Sequence, residues 1–248
     1  FVHGGPGADH RQFLAWAPLA DVGYHLVMYD QRGAGLSRRH DRTTLDVPHA
    51  LADLDAVIDA HRAGDEPVVL FSHSWGSMLV TAAIDADPGR VHGAVLTEPG
   101  GFTRAEVEAF FTRAIGGLTL TEGTSDVLWT EQFLSPEEHA RWDYLLAETA
   151  RDAEGQEGND PERPTPFWRW GAALSYWLPQ QIGAFDWTTR LAEVTFPVLW
   201  FHGDQNRVTD SAQQEALAAH YPRVEMHLVE GAGHDLLYQR TAELLPVV

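Results

Sequence analysis

No cysteine occurs in the 248 residues, which excludes disulfides, thiolate metal sites and a cysteine nucleophile together. Basic residues are scarce: 17 Lys and Arg stand against 36 Asp and Glu, a net charge of -19. Such a surface repels phosphate backbones and anionic lipid, so neither nucleic acid nor membrane is an expected partner. Long apolar runs are missing as well. No stretch of the chain approaches the roughly 18 apolar residues that a membrane span requires, and no signal peptide opens it, which points to the cytoplasm. The chain also lacks an initiating Met, and only Phe1-Val2 precedes its first glycine loop, so a further segment is expected upstream.

What is present is enough for one large α/β domain with an inserted subdomain: 44% of the residues are hydrophobic, ordinary for a globular chain with a substantial core. The central stretch is Val68-Val69-Leu70-Phe71-Ser72-His73-Ser74-Trp75-Gly76-Ser77, an apolar strand running straight into a serine among small residues. A strand-to-helix turn this abrupt strains its apex residue and exposes the apex side chain at the sheet edge, so neighbours must be small. Ser74 is therefore the expected nucleophile. Gly76 satisfies the pattern G-x-S-x-G, while Ser72 stands where its first glycine would be. The competing reading is an ordinary serine-rich turn.

The other motifs bear on that choice. Phe1-Val2 reads as the end of a buried strand, and in His3-Gly4-Gly5-Pro6-Gly7 the glycines let backbone N–H groups approach a ligand. Gly5, with Gly4 beside it, and the N–H of Trp75 are the expected oxyanion donors; a plain Gly/Pro turn is the alternative. Residues 10–18 look helical, and Tyr24-His25-Leu26-Val27-Met28-Tyr29 reads as a strand ending at Asp30-Gln31-Arg32-Gly33-Ala34-Gly35-Leu36-Ser37, where Asp30 and Arg32 brace the loop. Leu51, Leu54, Val57 and Ile58 recur at helical spacing, predicting a helix over 47–62 and a parallel crossover. The helix after Ser74 carries Met78, Leu79, Ala82 and Ala83, and its N-terminal N–H groups favour negative charge beneath the serine.

A strand over 91–97 ends at Glu98, which should face the same crevice as Ser74, since strand ends on one edge of a parallel sheet share it. Glu98 either anchors a substrate ammonium there or braces its own loop. Over 102–186 the strand-helix rhythm stops, and this helical, aromatic segment is the expected cap on a core of 1–101 and 187–248. Most of its crowded aromatics belong in a core, with Trp168 and Trp170 the expected pocket lining. The rhythm resumes at 196–201, delivering Asp204; residues 210–220 read as a helix and Val224 to Val229 as the last strand, after which Gly231-Ala232-Gly233 presents His234. His234 is the expected general base and Asp204 the acid that orients it, against the alternative that Asp204 caps the next helix. Neither metal nor cofactor is required by this chemistry.

Together, His3-Gly4-Gly5-Pro6-Gly7, Asp30-Gln31-Arg32-Gly33-Ala34-Gly35-Leu36-Ser37, Ser74-Trp75-Gly76-Ser77, Gly203-Asp204 and Gly231-Ala232-Gly233-His234 resemble the α/β-hydrolase fold, and within it the proline iminopeptidase family. The resemblance implies a mostly parallel sheet with helices on both faces, a helical cap, and a triad in the chain order Ser74, Asp204, His234. It implies release of N-terminal residues from small peptides or amides. The family's cap also carries a W-x-x-W-E motif whose glutamate binds the substrate amine, whereas Phe167-Trp168-Arg169-Trp170-Gly171 ends on glycine. A small-molecule esterase or lactonase with the same triad is therefore the second expectation, and a non-catalytic ligand-binding protein of the same fold the third.

Overall fold

The computed structural model describes residues 1–114, 143, 169–181, 183, 185–206 and 208–248. Its centre is a parallel sheet of four strands in the order β1 (Val69–Phe71), β2 (Gly93–Thr97), β3 (Val198–Gly203) and β4 (Val224–Val229). Val69 pairs with Gly93, Ala94 with Val198 and Val198 with Val224, so all four strands point the same way and end on one edge. On the far side of β1 a parallel bridge joins Val2 to Ser72.

Strand side chains alternate between faces, and two apolar clusters separate accordingly. Leu70, Ala94, Leu96, Val198 and Trp200 pack on one face with Leu54 and Ile58 of α1 (Val47–His61), Leu79 of α2 (Trp75–Ala86) and Leu217 of α5 (Ser211–Ala218). Phe71, Val95, Phe201 and Val229 pack on the other with Phe13, Trp16 and Leu19 of a 3₁₀ segment (His10–Val22) and with Leu236, Leu237 and Leu244 of α6 (Leu236–Gln239) and α7 (Thr241–Leu244). Covering both faces explains why β2 is buried along its whole length. Each large side chain so enclosed contributes on the order of 1.5–3 kcal/mol.

Caps fix the helix starts. Asp46 accepts from the N–H of His49 with Pro48 just inside α1, and Asp210 accepts from the N–H of Gln213 at α5. Ala50, Leu54 and Ile58 recur every four residues and form the buried stripe of α1. Residues 10–18 are helical as expected, in a 3₁₀ run closed by Gly23 in the left-handed region at φ 103°, while one local expectation is corrected. Residues 24–29 join no ladder among the described residues, where the Phe1 backbone nitrogen donates to the Val27 carbonyl at 2.8 Å. An apolar groove of about 670 Å³ opens there, towards the strand N-termini, lined by Phe1, Leu26, Val69 and Leu199 and not by Ser74 or His234.

Most of the expected cap, 102–186, and with it Trp168, lies outside the described residues. Of it, α3 (Arg104–Ala114) and α4 (Ala172–Gln181) are described. The start of α4 sits directly on the glycine loop: the Gly171 N–H donates to the Gly7 carbonyl at 2.7 Å, and the Ser175 hydroxyl donates to the Pro6 carbonyl. None of the described helices is long and apolar enough to cross a membrane.

Candidate active site

Four consecutive strand ends deliver the polar residues of the site. After β1 the chain turns through Ser72 and His73 to Ser74, which holds φ 52° and ψ -120°, a region costing a non-glycine residue on the order of 1–3 kcal/mol. The turn is clamped by the Ser74 N–H donating to the Thr97 carbonyl at 2.7 Å and the Gly76 N–H to the His73 carbonyl at 2.7 Å. A Cβ at position 76 would lie 2.0 Å from the Val2 carbonyl oxygen, so only glycine fits under the elbow. Ser72 and Ser77 are buried in a network of their own, their hydroxyls 3.1 Å apart and bonded to the Val95 and Thr97 carbonyls.

After β4, the loop through Gly233 brings Nε2 of His234 to 3.0 Å from Oγ of Ser74. The ring is held by its neighbour, since Nε2 of His73 donates to the His234 carbonyl at 2.9 Å and the two rings lie 5.0 Å apart. Burial, with the adjacent His73, lowers the pKa of His234 to about 3. The imidazole is therefore neutral at ordinary pH. A neutral imidazole against a hydroxyl can take its proton as the oxygen attacks an electrophilic carbon.

The glycine loop lies alongside. A Cβ at Gly4 would meet Cβ of Ser74 at 3.1 Å. Gly4 itself is corrected as a donor, because its N–H already donates to Oε1 of Gln12 at 2.8 Å. The N–H groups of Gly5, at φ 116°, and of Trp75, at the start of α2, have no acceptor among the described residues. Gln31 ties this loop to the elbow helix, its amide donating to the His3 carbonyl at 2.7 Å and accepting from the indole of Trp75 at 2.9 Å. Asp30 braces its own loop as expected, accepting from the N–H groups of His10 and Leu36 at 2.7 Å each, and Arg32 pairs with Asp53.

The carboxylates are placed differently from expectation. Asp204 is exposed, and its Oδ1 accepts from the Gly231 N–H at 2.7 Å, so it stabilises the His234 loop rather than touching the ring. Nδ1 of His234 instead faces Nδ2 of Asn206, at 3.1 Å. Behind Asn206 lies Glu98, fully buried at φ 50°, accepting from the Gly203 N–H and from Nδ2 of Asn206 at 2.7 Å each, and from the Thr209 hydroxyl at 3.1 Å. Burial outweighs those three donors and pushes its pKa up to about 8. Glu98 does reach the crevice edge with Ser74, but with no exposed surface it cannot meet a substrate ammonium. Asn206 is the residue that sequence reasoning missed. Nothing in Gly203-Asp204-Gln205-Asn206 marks an amide over a carboxylate.

Gly171 is likewise explained by packing. A Cβ there would lie 2.4 Å from the Gly33 carbonyl oxygen, so no glutamate side chain fits at that position. Trp170 is half-buried, with its N–H donating to the Asp143 carbonyl at 3.1 Å. Among the described residues, ligand atoms of Asp9, His10 and Asp30 cluster within 4.8 Å of one another, but these carboxylates already serve Arg11 and the loop N–H groups, so they form a brace and not a metal centre.

The sequence profile of the family described as serine aminopeptidase, S33, matches residues 1–241. The chain belongs to that family. The proline iminopeptidase of Saccharolobus solfataricus is 33% identical, though over 33% of this chain and 26% of the relative. The chain thus matches well under two thirds of that relative's length. The proline iminopeptidase of Lactobacillus delbrueckii subsp. lactis is 25% identical over 98% of this chain and 85% of its own. In three dimensions the chain superposes on a thermophilic esterase from Thermogutta terrifontis with a TM-score of 0.70 at 18% identity, covering 99% of this chain and 85% of that one. The fold is that of the α/β-hydrolases.

Proposed function

We propose that this chain is a serine hydrolase acting through an acyl-enzyme on small acyl substrates. The reading rests on one observation: a serine held in strained backbone geometry at a strand-helix elbow, with a neutral imidazole nitrogen 3.0 Å from its hydroxyl. Ser74 attacks the carbonyl carbon, and its proton passes to Nε2 of His234 and on to the leaving group. The N–H groups of Gly5 and Trp75 receive the developing oxyanion, each such donor commonly worth about 10²- to 10³-fold in rate. Water, deprotonated by the same imidazole, then releases the acid.

Within that chemistry, ester or lactone hydrolysis is the reading the packing favours, because neither Glu98 nor position 171 offers a carboxylate to a substrate amine. Release of an N-terminal residue is the second reading, supported by the relatives, whose named activity is proline iminopeptidase. A proline arylamide, its N-acetyl derivative and a short p-nitrophenyl ester distinguish them. Cleavage of the ester with little or none of either amide is the expected result. Cleavage of the free arylamide but not its acetylated form would establish the aminopeptidase, and turnover of none would favour a ligand-binding protein.

A further inference from the structure

Deepening that reading and resting on it, we propose that Glu98, at the end of β2, is the acidic partner of His234, positioning the imidazole across the Asn206 amide and supplying the negative charge that the imidazolium requires.

The amide orientation of Asn206 is fixed by its surroundings. Its Oδ1 accepts from the N–H groups of Val208 at 2.9 Å and Thr209 at 3.2 Å, so Nδ2 must face the other way. That nitrogen touches Oε2 of Glu98, the Thr209 hydroxyl and Nδ1 of His234, all within 3.1 Å. A histidine serving as base at Nε2 carries its own proton on Nδ1, pointing at Asn206. The two amide hydrogens are accounted for by the shorter contacts, to Oε2 of Glu98 and to the Thr209 hydroxyl at 2.7 Å each, so the Nδ1 proton faces the amide nitrogen without a bond and Glu98 acts on it as a charge one residue away. Asp204 is excluded because its carboxylate is exposed and bound to the Gly231 N–H.

Two further features separate this arrangement from a simple loop brace. Glu98 holds a left-handed backbone conformation that a side chain disfavours, and it is a wholly buried carboxylate, a combination costly to keep for loop support that an amide could give. Asp235, the other acid felt at this site, raises the proton affinity of Glu98, and burial does so more strongly, so the carboxylate ionises most readily when an imidazolium stands nearby. The transferred proton travels from Oγ of Ser74 to Nε2 and then to the leaving group and never to Glu98, which is charged above about pH 8 and holds a proton of its own below it.

The test is the rate at which a fluorophosphonate labels Ser74, a reaction that reports serine activation whatever the natural substrate, read beside kcat and KM for the p-nitrophenyl ester. Glu98→Gln should slow labelling and lower kcat by about 10²- to 10⁴-fold with KM changed little. Asp204→Asn should stay within about threefold of wild type on both. Because the amide introduced by Glu98→Gln faces the Asn206 amide and could perturb folding, the decisive variant is the double substitution Glu98→Gln with Asn206→Asp, which returns a carboxylate directly to Nδ1. Recovery of at least tenfold in labelling over Glu98→Gln supports the assignment. Wild-type labelling in Glu98→Gln, a folded double variant no faster than the single one, or a loss in Asp204→Asn as large as that in Glu98→Gln would each overturn it. Failure on the ester or arylamide with labelling that still depends on Glu98 would refute the substrate reading and leave this assignment standing.

Discussion

Among the described residues Ser74 has one partner for its hydroxyl, Nε2 of His234, and its side chain is almost buried at 6% exposure, so removing the oxygen deletes that hydrogen bond and little packing. The backbone strain at φ 52° remains whether the residue is serine or alanine. Ser74→Ala is therefore expected to lower ester turnover by about 10⁴-fold or more while changing stability by less than about 1 kcal/mol, as measured by steady-state rates and thermal unfolding. Neither neighbouring serine can substitute, since Ser72 and Ser77 are wholly buried and committed to each other and to β2. Substantial residual activity in a folded variant would sink the assignment of the nucleophile. At this scale the meeting of Ser74 and His234 was legible in the sequence, because a strained elbow demands small neighbours and a histidine after the last strand points back to the same sheet edge. The acid was not legible. A carboxylate's role depends on which of two adjacent strand ends is deeper, and neither Glu98 nor Asp204 differs in local pattern in a way that says so.

At the scale of elements, the site depends on how closely the first loop, the elbow and the start of α4 are packed. Glycine is required where backbones cross: position 76 lies under the Val2 and His3 carbonyls, and position 171 passes between Gly7 and Gly33. Ala at 76 would place its Cβ 2.0 Å from one backbone oxygen and 2.8 Å from another, and neither can rotate aside. Gly76→Ala should cost about 2 kcal/mol or more, lowering Tm by about 4 °C or more, and it should depress kcat because relief of the clash moves Ser74. Gly89→Ala is the control, on an exposed turn where the added carbon meets nothing closer than 3.5 Å. Equal thermal stability of the two variants would show that the elbow is not packed as described. The strands were readable as short apolar runs and α1 from apolar residues at helical spacing. Residues 24–29 were not, because their β-rich composition matches a strand while their pairing depends on neighbours that a local pattern does not contain.

Across the whole molecule the strong acidity hides two buried groups that titrate in opposite senses. Glu98, raised to about 8 by burial, keeps in the native state a proton that the unfolded chain gives up near its ordinary value of 4.5. Between those values the native state binds more protons, so this residue makes stability fall as pH rises, with the loss complete above about 8. His234, lowered to about 3 by burial, works the other way, adding stability as pH rises from about 3 to its ordinary 6.5. The raw stability curve sums both groups and does not isolate Glu98. The difference between wild type and Glu98→Gln does, because the other groups are common to both. From pH 5.5 to 7.5 the wild type should lose about 2.5 kcal/mol relative to the variant, at roughly 1.4 kcal/mol per pH unit for one proton less the incomplete titration at each end. Below the ordinary carboxylate range the difference should be flat. Denaturant unfolding of both proteins at matched pH values measures it directly. Parallel curves across that interval would mean that the Glu98 carboxyl titrates as it does in water, and the enclosure by Gly203, Asn206 and Thr209 would then be wrong.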